Sequence, residues 1–215
     1  MNYCQFRNLT IKRMANAGGG GLLPAEYQAV EYLQSTGKNW IDTGINVSNS
    51  LLTSCDIAIV SGFSFSSLAY IFGVYVESPA TRYSCAIAST TSLRLPNGGN
   101  FSNYTIPAIS YGQKYSLSYR FGETKWESNT VSNASSAINT PKSLWLFARN
   151  FNGTEIISKI QIYHAQLGTT NDFAQYRDLY PCYRKSDSVT GMYDLINSEF
   201  IPYSGTENFI IGNNV

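Results

Sequence analysis

The sequence predicts an all-β protein built from two packed antiparallel sheets. Three observations carry that expectation. Large apolar residues recur at every second position, the runs are short and separated by Asn-, Gly- and Pro-rich turns, and apolar spacing of the helical kind is scarce. Two sheets that each bury one face satisfy such a pattern.

The elements follow in chain order. Ala25 to Leu33 offers at most a turn or two of helix, with Ala29 and Leu33 on one side. Leu51 to Val60 sets Cys55, Ile57 and Ile59 on one face and Ser54, Asp56 and Ala58 on the other. Leu68 to Val76 alternates Tyr70, Phe72, Val74 and Val76 with smaller residues, and Arg82 to Ala88 gathers Tyr83, Cys85 and Ile87. The cleanest alternation is Tyr115 to Phe121, where apolar residues interleave with Ser116, Ser118 and Arg120 as in a half-buried strand. Leu144 to Ala148 is apolar on both faces, the mark of a central strand covered on both sides. Ile156 to Tyr163 is expected to bury Ile156, Ile160 and Ile162 and to expose Lys159 and Gln161. Asp172 to Asp178 reads as a second short helical turn.

Turn chemistry separates these runs. Pro96 to Asn100 reads as a loop, Phe121 to Trp126 as a hairpin, and Asn152-Gly153 as a tight turn. The Ser- and Asn-rich stretch from Glu127 to Lys142 reads as a surface loop or irregular edge.

Composition narrows the function classes. The 215 residues suffice for one all-β domain with its own core. Charged residues make up only 13%, about half the usual share. Ser, Thr, Asn, Gly and the 16 Tyr must then cover the surface, a composition of adhesive all-β proteins and of subunits packed into assemblies. A net charge of +1 argues against nucleic acid as a partner. No apolar run approaches the roughly 20 residues of a membrane-spanning helix. Met1 to Ala17 lacks the apolar stretch of a secretory signal peptide. The four cysteines, Cys4, Cys55, Cys85 and Cys182, show no CxxC spacing, and His164 is the sole histidine, so free thiols are expected and a zinc site is not.

Three regions divide the chain. Residues 1–17 form an arm with Arg7, Lys12 and Arg13 as its charges and Phe6, Leu9 and Ile11 among its apolar residues. Gly18 to Gly21 is a hinge without a preferred backbone conformation. Residues 22–215 form the domain. The arm reads either as a plain tail or as an anchor that orders on a partner surface.

Leu23 to Tyr27, Val30 to Gly37 and Trp40 to Gly44 resemble the opening of a laminin-G-like, concanavalin A-like domain of the version common in phage and surface proteins of gut bacteria. Leu144 to Ala148, Lys159 to Tyr163, Pro181 to Asp187 and Gly191 to Asn197 resemble its later strands and closing segment. The likeness spans roughly residues 22–212, and between about residues 61 and 140 it is one of strand rhythm alone. The resemblance implies a jelly-roll sandwich. Its first and last strands can lie side by side, with Asn39 to Thr43 and Phe200 to Ile211 as the candidates, which makes Trp40 a core or seam residue.

No catalytic constellation stands out. Glucanases on related sandwiches carry a Glu-x-Asp-x-Glu strand, and this chain has none; Glu123 and Glu127 flank a hairpin at the wrong spacing. His164 reads as a surface or strand-end histidine and Cys182 as a packed thiol. No cofactor is expected. Some laminin-G relatives hold calcium at the rim, and here Asn171 with Asp172, or Ser186 with Asp187, can each supply one or two ligands. Arg184 and Lys185 with Asp187 read as a solvated charge cluster. Glycan binding needs an exposed aromatic beside amides or hydroxyls. Tyr104 near Asn97 and Asn100, Trp126, and Phe151 meet that description; the plainer alternative is that these rings cap the core or join a subunit interface.

The resulting expectation is a non-enzymatic phage surface protein, serving as a decoration, fibre-head or adhesion unit. It would be held to other virion proteins by Phe6, Arg7, Leu9, Ile11, Lys12 and Arg13 and be capable of binding glycans. A bacterial lectin-like adhesin is the alternative, with a polysaccharide-degrading enzyme behind it. Homo-oligomers, trimers included, fit such a role, although no heptad repeat specifies one.

Overall fold

In a computed structural model of the chain, the described residues are 22–64, 68–77, 81–97, 100–133, 141–152, 154–169 and 172–215, with the backbone alone described for 81, 154–156 and 172–175. The arm, the glycine hinge, Cys4 and Asn171 lie outside them.

The alternating runs become strands, and no described residue is helical. They form two sheets. Among the described residues, the eleven-stranded sheet has the path Asn129–Val131, Glu123–Trp126, Lys114–Arg120, Leu51–Ile59, Ile160–Thr169, Asp172–Arg184, Thr190–Asp194, Glu199–Pro202, with Tyr27–Ala29, Leu33–Gln34 and Ile210–Ile211 paired off it. The nine-stranded sheet has the path Ser204–Gly205, Asn39–Asn46, Ser143–Leu146, Ala69–Val76, Thr81–Ser89, Ser92–Asn97, Asn100–Thr105, with Ala148–Phe151 and Thr154–Ile157 paired off it. Among the described residues, pairing is antiparallel throughout except where Ala148–Phe151 meets Ala69–Val76.

One core lies between the sheets. Ile57, Leu117 and Ile162 face it from the larger sheet, and Ile41, Phe72 and Leu146 from the smaller. A polar bridge spans it: the Tyr83 hydroxyl lies 2.8 Å from Thr53 Oγ1, donates to the Leu51 carbonyl, and its ring meets Tyr119 edge-on at 4.8 Å. A second, smaller cluster of Leu23, Cys182 and Tyr193 joins the first residues of the domain to its closing motif.

The ends interlock as the resemblance implies. Ser204 pairs with Trp40 and Gly205 with Asn39, while Leu33 pairs with Ile211 and Gln34 with Ile210. Trp40 sits on this seam, stacked on Trp145 at 5.1 Å. Beside it Gly37, Lys38, Ile157, Gly205 and Thr206 line a cavity of about 310 Å³.

Several expectations need correction. Ala25 to Leu33 is a turn at Ala25 and Glu26 followed by the short strands Tyr27–Ala29 and Leu33–Gln34, and Asp172 to Asp178 opens a 13-residue strand. Tyr27–Ala29 pairs with the end of Asp172–Arg184, Leu33–Gln34 lies between Ile160–Thr169 and Ile210–Ile211, and the start of Asp172–Arg184 pairs with Ile160–Thr169; these tertiary hydrogen bonds outweigh weak local preference. The Pro96 to Asn100 loop is a hairpin whose strands run up to the Asn97–Asn100 pair. Ile156 to Tyr163 divides between sheets: Thr154–Ile157 belongs to the smaller one and Ile160–Thr169 to the larger. His164 lies within a strand, its Nε2 2.7 Å from Asp178 Oδ1 and its ring 4.6 Å from Tyr180.

Candidate functional site

On the smaller sheet, residues that alternate with the core positions form an outer face. Gly73 and Tyr75 point there from Ala69–Val76, because Phe72 and Val74 point inward. By the same alternation Arg82 and Ser84 stand on Thr81–Ser89, Arg94 on Ser92–Asn97, Phe101 and Asn103 on Asn100–Thr105, and Trp145 on Ser143–Leu146. Two further side chains arrive through an unusual turn. Phe147 has a left-handed backbone, φ 66°, and its N–H donates to the Ile71 carbonyl at 2.8 Å. The chain reverses there, so that Asn150 and Phe151 run parallel to Val74 and Tyr75.

That reversal completes an aromatic and cationic layer. Phe151 stacks on Tyr75 with ring centroids 5.1 Å apart and planes within 12°, and Phe101 meets Tyr75 edge-on at 6.0 Å. Three guanidinium groups cover these rings. Arg82 lies 5.0 Å from Tyr75 and 5.5 Å from Phe101; Arg94 lies 5.5 Å from Phe101; Arg149 lies 4.6 Å from Tyr70 and 5.5 Å from Phe151. Such contacts are attractive by roughly 0.5–2 kcal/mol each, the more so when partly desolvated. Gly73 makes room for the Arg149 stem, since a Cβ there would lie 2.6 Å from Ser84 Cβ and 3.1 Å from Arg149 Cγ. Burial pulls the Arg149 pKa down, the Tyr70 and Tyr75 hydroxyls oppose that, and neighbouring Arg94 adds to it.

The sequence candidates separate on this frame. Phe151 is part of the layer. Asn97 and Asn100 are exposed at the tip of the hairpin that carries Arg94 and Phe101, and Asn97 Nδ2 donates to Ser102 Oγ at 2.8 Å. Tyr104 pairs with Leu93 and packs on the core side. Trp126 is a correction: it belongs to the larger sheet, is fully buried, and stacks on Tyr115 at 5.1 Å. The apolar side of the Glu123–Trp126 strand faces the core, so this ring is closed to a ligand. Lys125 alongside it is exposed.

Sequence reasoning missed Arg82, Arg94, Arg149, Tyr75 and Phe101. Alternation does mark Arg94, between Leu93 and Leu95, as outward-facing. Only strand order shows that arginines so far apart in sequence share one face.

Among the described residues, no group of three His, Cys, Asp or Glu comes together as a metal site. Asp187 gives both carboxylate oxygens to Arg184 across the Arg184–Asp187 turn. The buried Asp194 accepts from the Asp178 and Ile196 N–H groups, from Asn197 and from Arg177 at 2.8 Å. Cys55, Cys85 and Cys182 are free and buried, and burial raises all three thiol pKa values, that of Cys182 to about 12.

No protein-family model matches the chain, and a search of curated proteins finds no match.

Proposed function

We propose that this chain is a non-enzymatic glycan-binding sandwich module, displayed on the outside of a larger assembly and, by the resemblance of its opening and closing motifs, of a bacteriophage particle. One observation carries the glycan reading. The stacked Phe151–Tyr75 pair with Phe101 lies on the outer face of a sheet, bordered by the amide of Asn103. Rings of this kind stack on the apolar face of a sugar while side-chain amides fix its hydroxyls. Binding of the intact chain to a glycan array tests it. Phe101→Ala and Phe151→Ala are each expected to weaken the best ligand about three- to tenfold. Unchanged binding in both variants removes the platform. Display rests on the arm: deletion of residues 1–17 is expected to abolish incorporation into particles, and normal incorporation would remove the anchor.

A further inference from the structure

The arginines of the outer face differ from the others. Six arginines lie among the described residues. Arg120, Arg177 and Arg184 each hold a carboxylate, those of Glu123, Asp194 and Asp187 respectively. Arg82, Arg94 and Arg149 hold none among the described residues, and these three are the ones gathered over Tyr75, Phe101 and Phe151. Acidic residues are not in short supply, with 14 against 15 basic in the whole chain. Three like charges are therefore concentrated where ring faces, and no carboxylate among the described residues, offset their repulsion.

Unmet hydrogen-bonding capacity on the same face is mostly that of donors. Arg82 Nε and Nη1, Arg149 Nε and Trp145 Nε1 are buried and find no acceptor among the described residues. All four are donor-only groups. Ser84, only 1% exposed between Arg82 and Ala86, has an unpartnered hydroxyl as well. Arg94 and Arg149 remain partly open to solvent. A face whose unpartnered guanidinium and indole groups can only donate, bearing fixed positive charge, is complementary to a group that accepts and is negatively charged.

We infer that the outer face of the smaller sheet, read as the glycan site, binds an acidic saccharide, with Arg82, Arg94 and Arg149 engaging its carboxylate or sulfate oxygens while Phe101 and Phe151 hold the sugar ring. The guanidinium fork matches either oxyanion, so uronic and sulfated sugars share this chemistry.

Titration calorimetry on the full chain tests the inference with three probes: an oligogalacturonate for carboxylate, a heparin-derived oligosaccharide for sulfate, and a neutral dextran oligosaccharide. At least one acidic probe is expected to bind, to weaken as NaCl is raised, and to lose about tenfold or more in affinity in Arg94→Gln and in Arg82→Gln. Lys125→Gln, which removes an equal charge from the other sheet, is expected to leave affinity unchanged; an equal loss there means diffuse attraction and overturns the site. Arg149→Gln is a third arm, and if it fails to fold, the other two arginine variants still decide. Binding of the neutral probe that Phe151→Ala abolishes and the arginine variants leave intact would overturn the acidic ligand and keep the glycan reading. Failure of all three probes would overturn this inference, and failure across a broad glycan array would remove the glycan reading too. Arginine variants that lower the melting temperature without touching affinity would make the cluster a structural ornament of the sheet and end the inference.

Discussion

At Gly205 a single hydrogen atom decides whether the seam closes. Its φ is +107°, and a Cβ there would lie 2.1 Å from the Lys38 carbonyl oxygen. Gly205→Ala is expected to cost about 2–4 kcal/mol, read as a lowered denaturant midpoint. Asp194 sets a second residue-scale expectation. Burial pushes its carboxyl pKa up, but donors from Asp178, Asn197, Arg177 and Ile196 outweigh burial, and the net shift is downward. A carboxyl depressed in the folded state contributes stability that is complete above its unfolded value of about 3.9 and fades as pH falls through the folded value. Stability is therefore expected to drop below about pH 4, and Asp194→Asn to lower stability by about 3 kcal/mol at neutral pH while flattening that acid-side slope. Urea titrations at pH 3 and pH 6 on both proteins check it.

Among the elements, the Phe147 reversal has the most at stake. Phe147 is a bulky residue in a conformation such residues seldom adopt. It is held by the Ile71 carbonyl, by the Ser158 N–H at its own carbonyl, and by its ring against Phe209 at 4.6 Å. Phe147→Ala is expected to cost about 3–5 kcal/mol in urea unfolding. It is also expected to weaken binding by the outer face, because Arg149 and Phe151 lie two and four residues beyond it. How much could be foreseen in the sequence follows from the same element. The alternation of Tyr83, Cys85 and Ile87 and the Phe121-Gly122 hairpin are local signals, and the strands they foretell are present; the apolar run at Leu144 to Ala148 is instead divided, Ser143–Leu146 ending before Phe147 and Ala148–Phe151 starting after it. The chain reversal at Phe147 is not local. The Phe147 N–H reaches back 76 residues to the Ile71 carbonyl, so no window of neighbouring residues encodes it. The candidate site shares that limitation. Phe151 is visible beside two asparagines, whereas the company of Arg82 and Arg94 depends on which strands are neighbours. Trp126 failed for the complementary reason: an aromatic beside Lys125 looks exposed until the pairing with Leu117 turns it inward.

Across the whole molecule, burial of the thiols gives a test of the sandwich. Cys55 and Cys85 face the shared core, and Cys182 lies in the smaller cluster that ties Leu23 to Tyr193. With their pKa values raised by burial, all three are expected to resist alkylation at pH 8 in the native protein and to react on unfolding, as peptide mapping by mass spectrometry would read. Rapid labelling of Cys55 or Cys85 in the native state would mean that the two sheets part. The interlocked ends have a consequence for biosynthesis. Leu33–Gln34 and Asn39–Trp40 emerge from the ribosome early, yet one partner of each is contributed by residues 204–211. A nascent chain thus carries open strand edges through most of its translation, the period in which chaperone protection against edge-to-edge aggregation matters most.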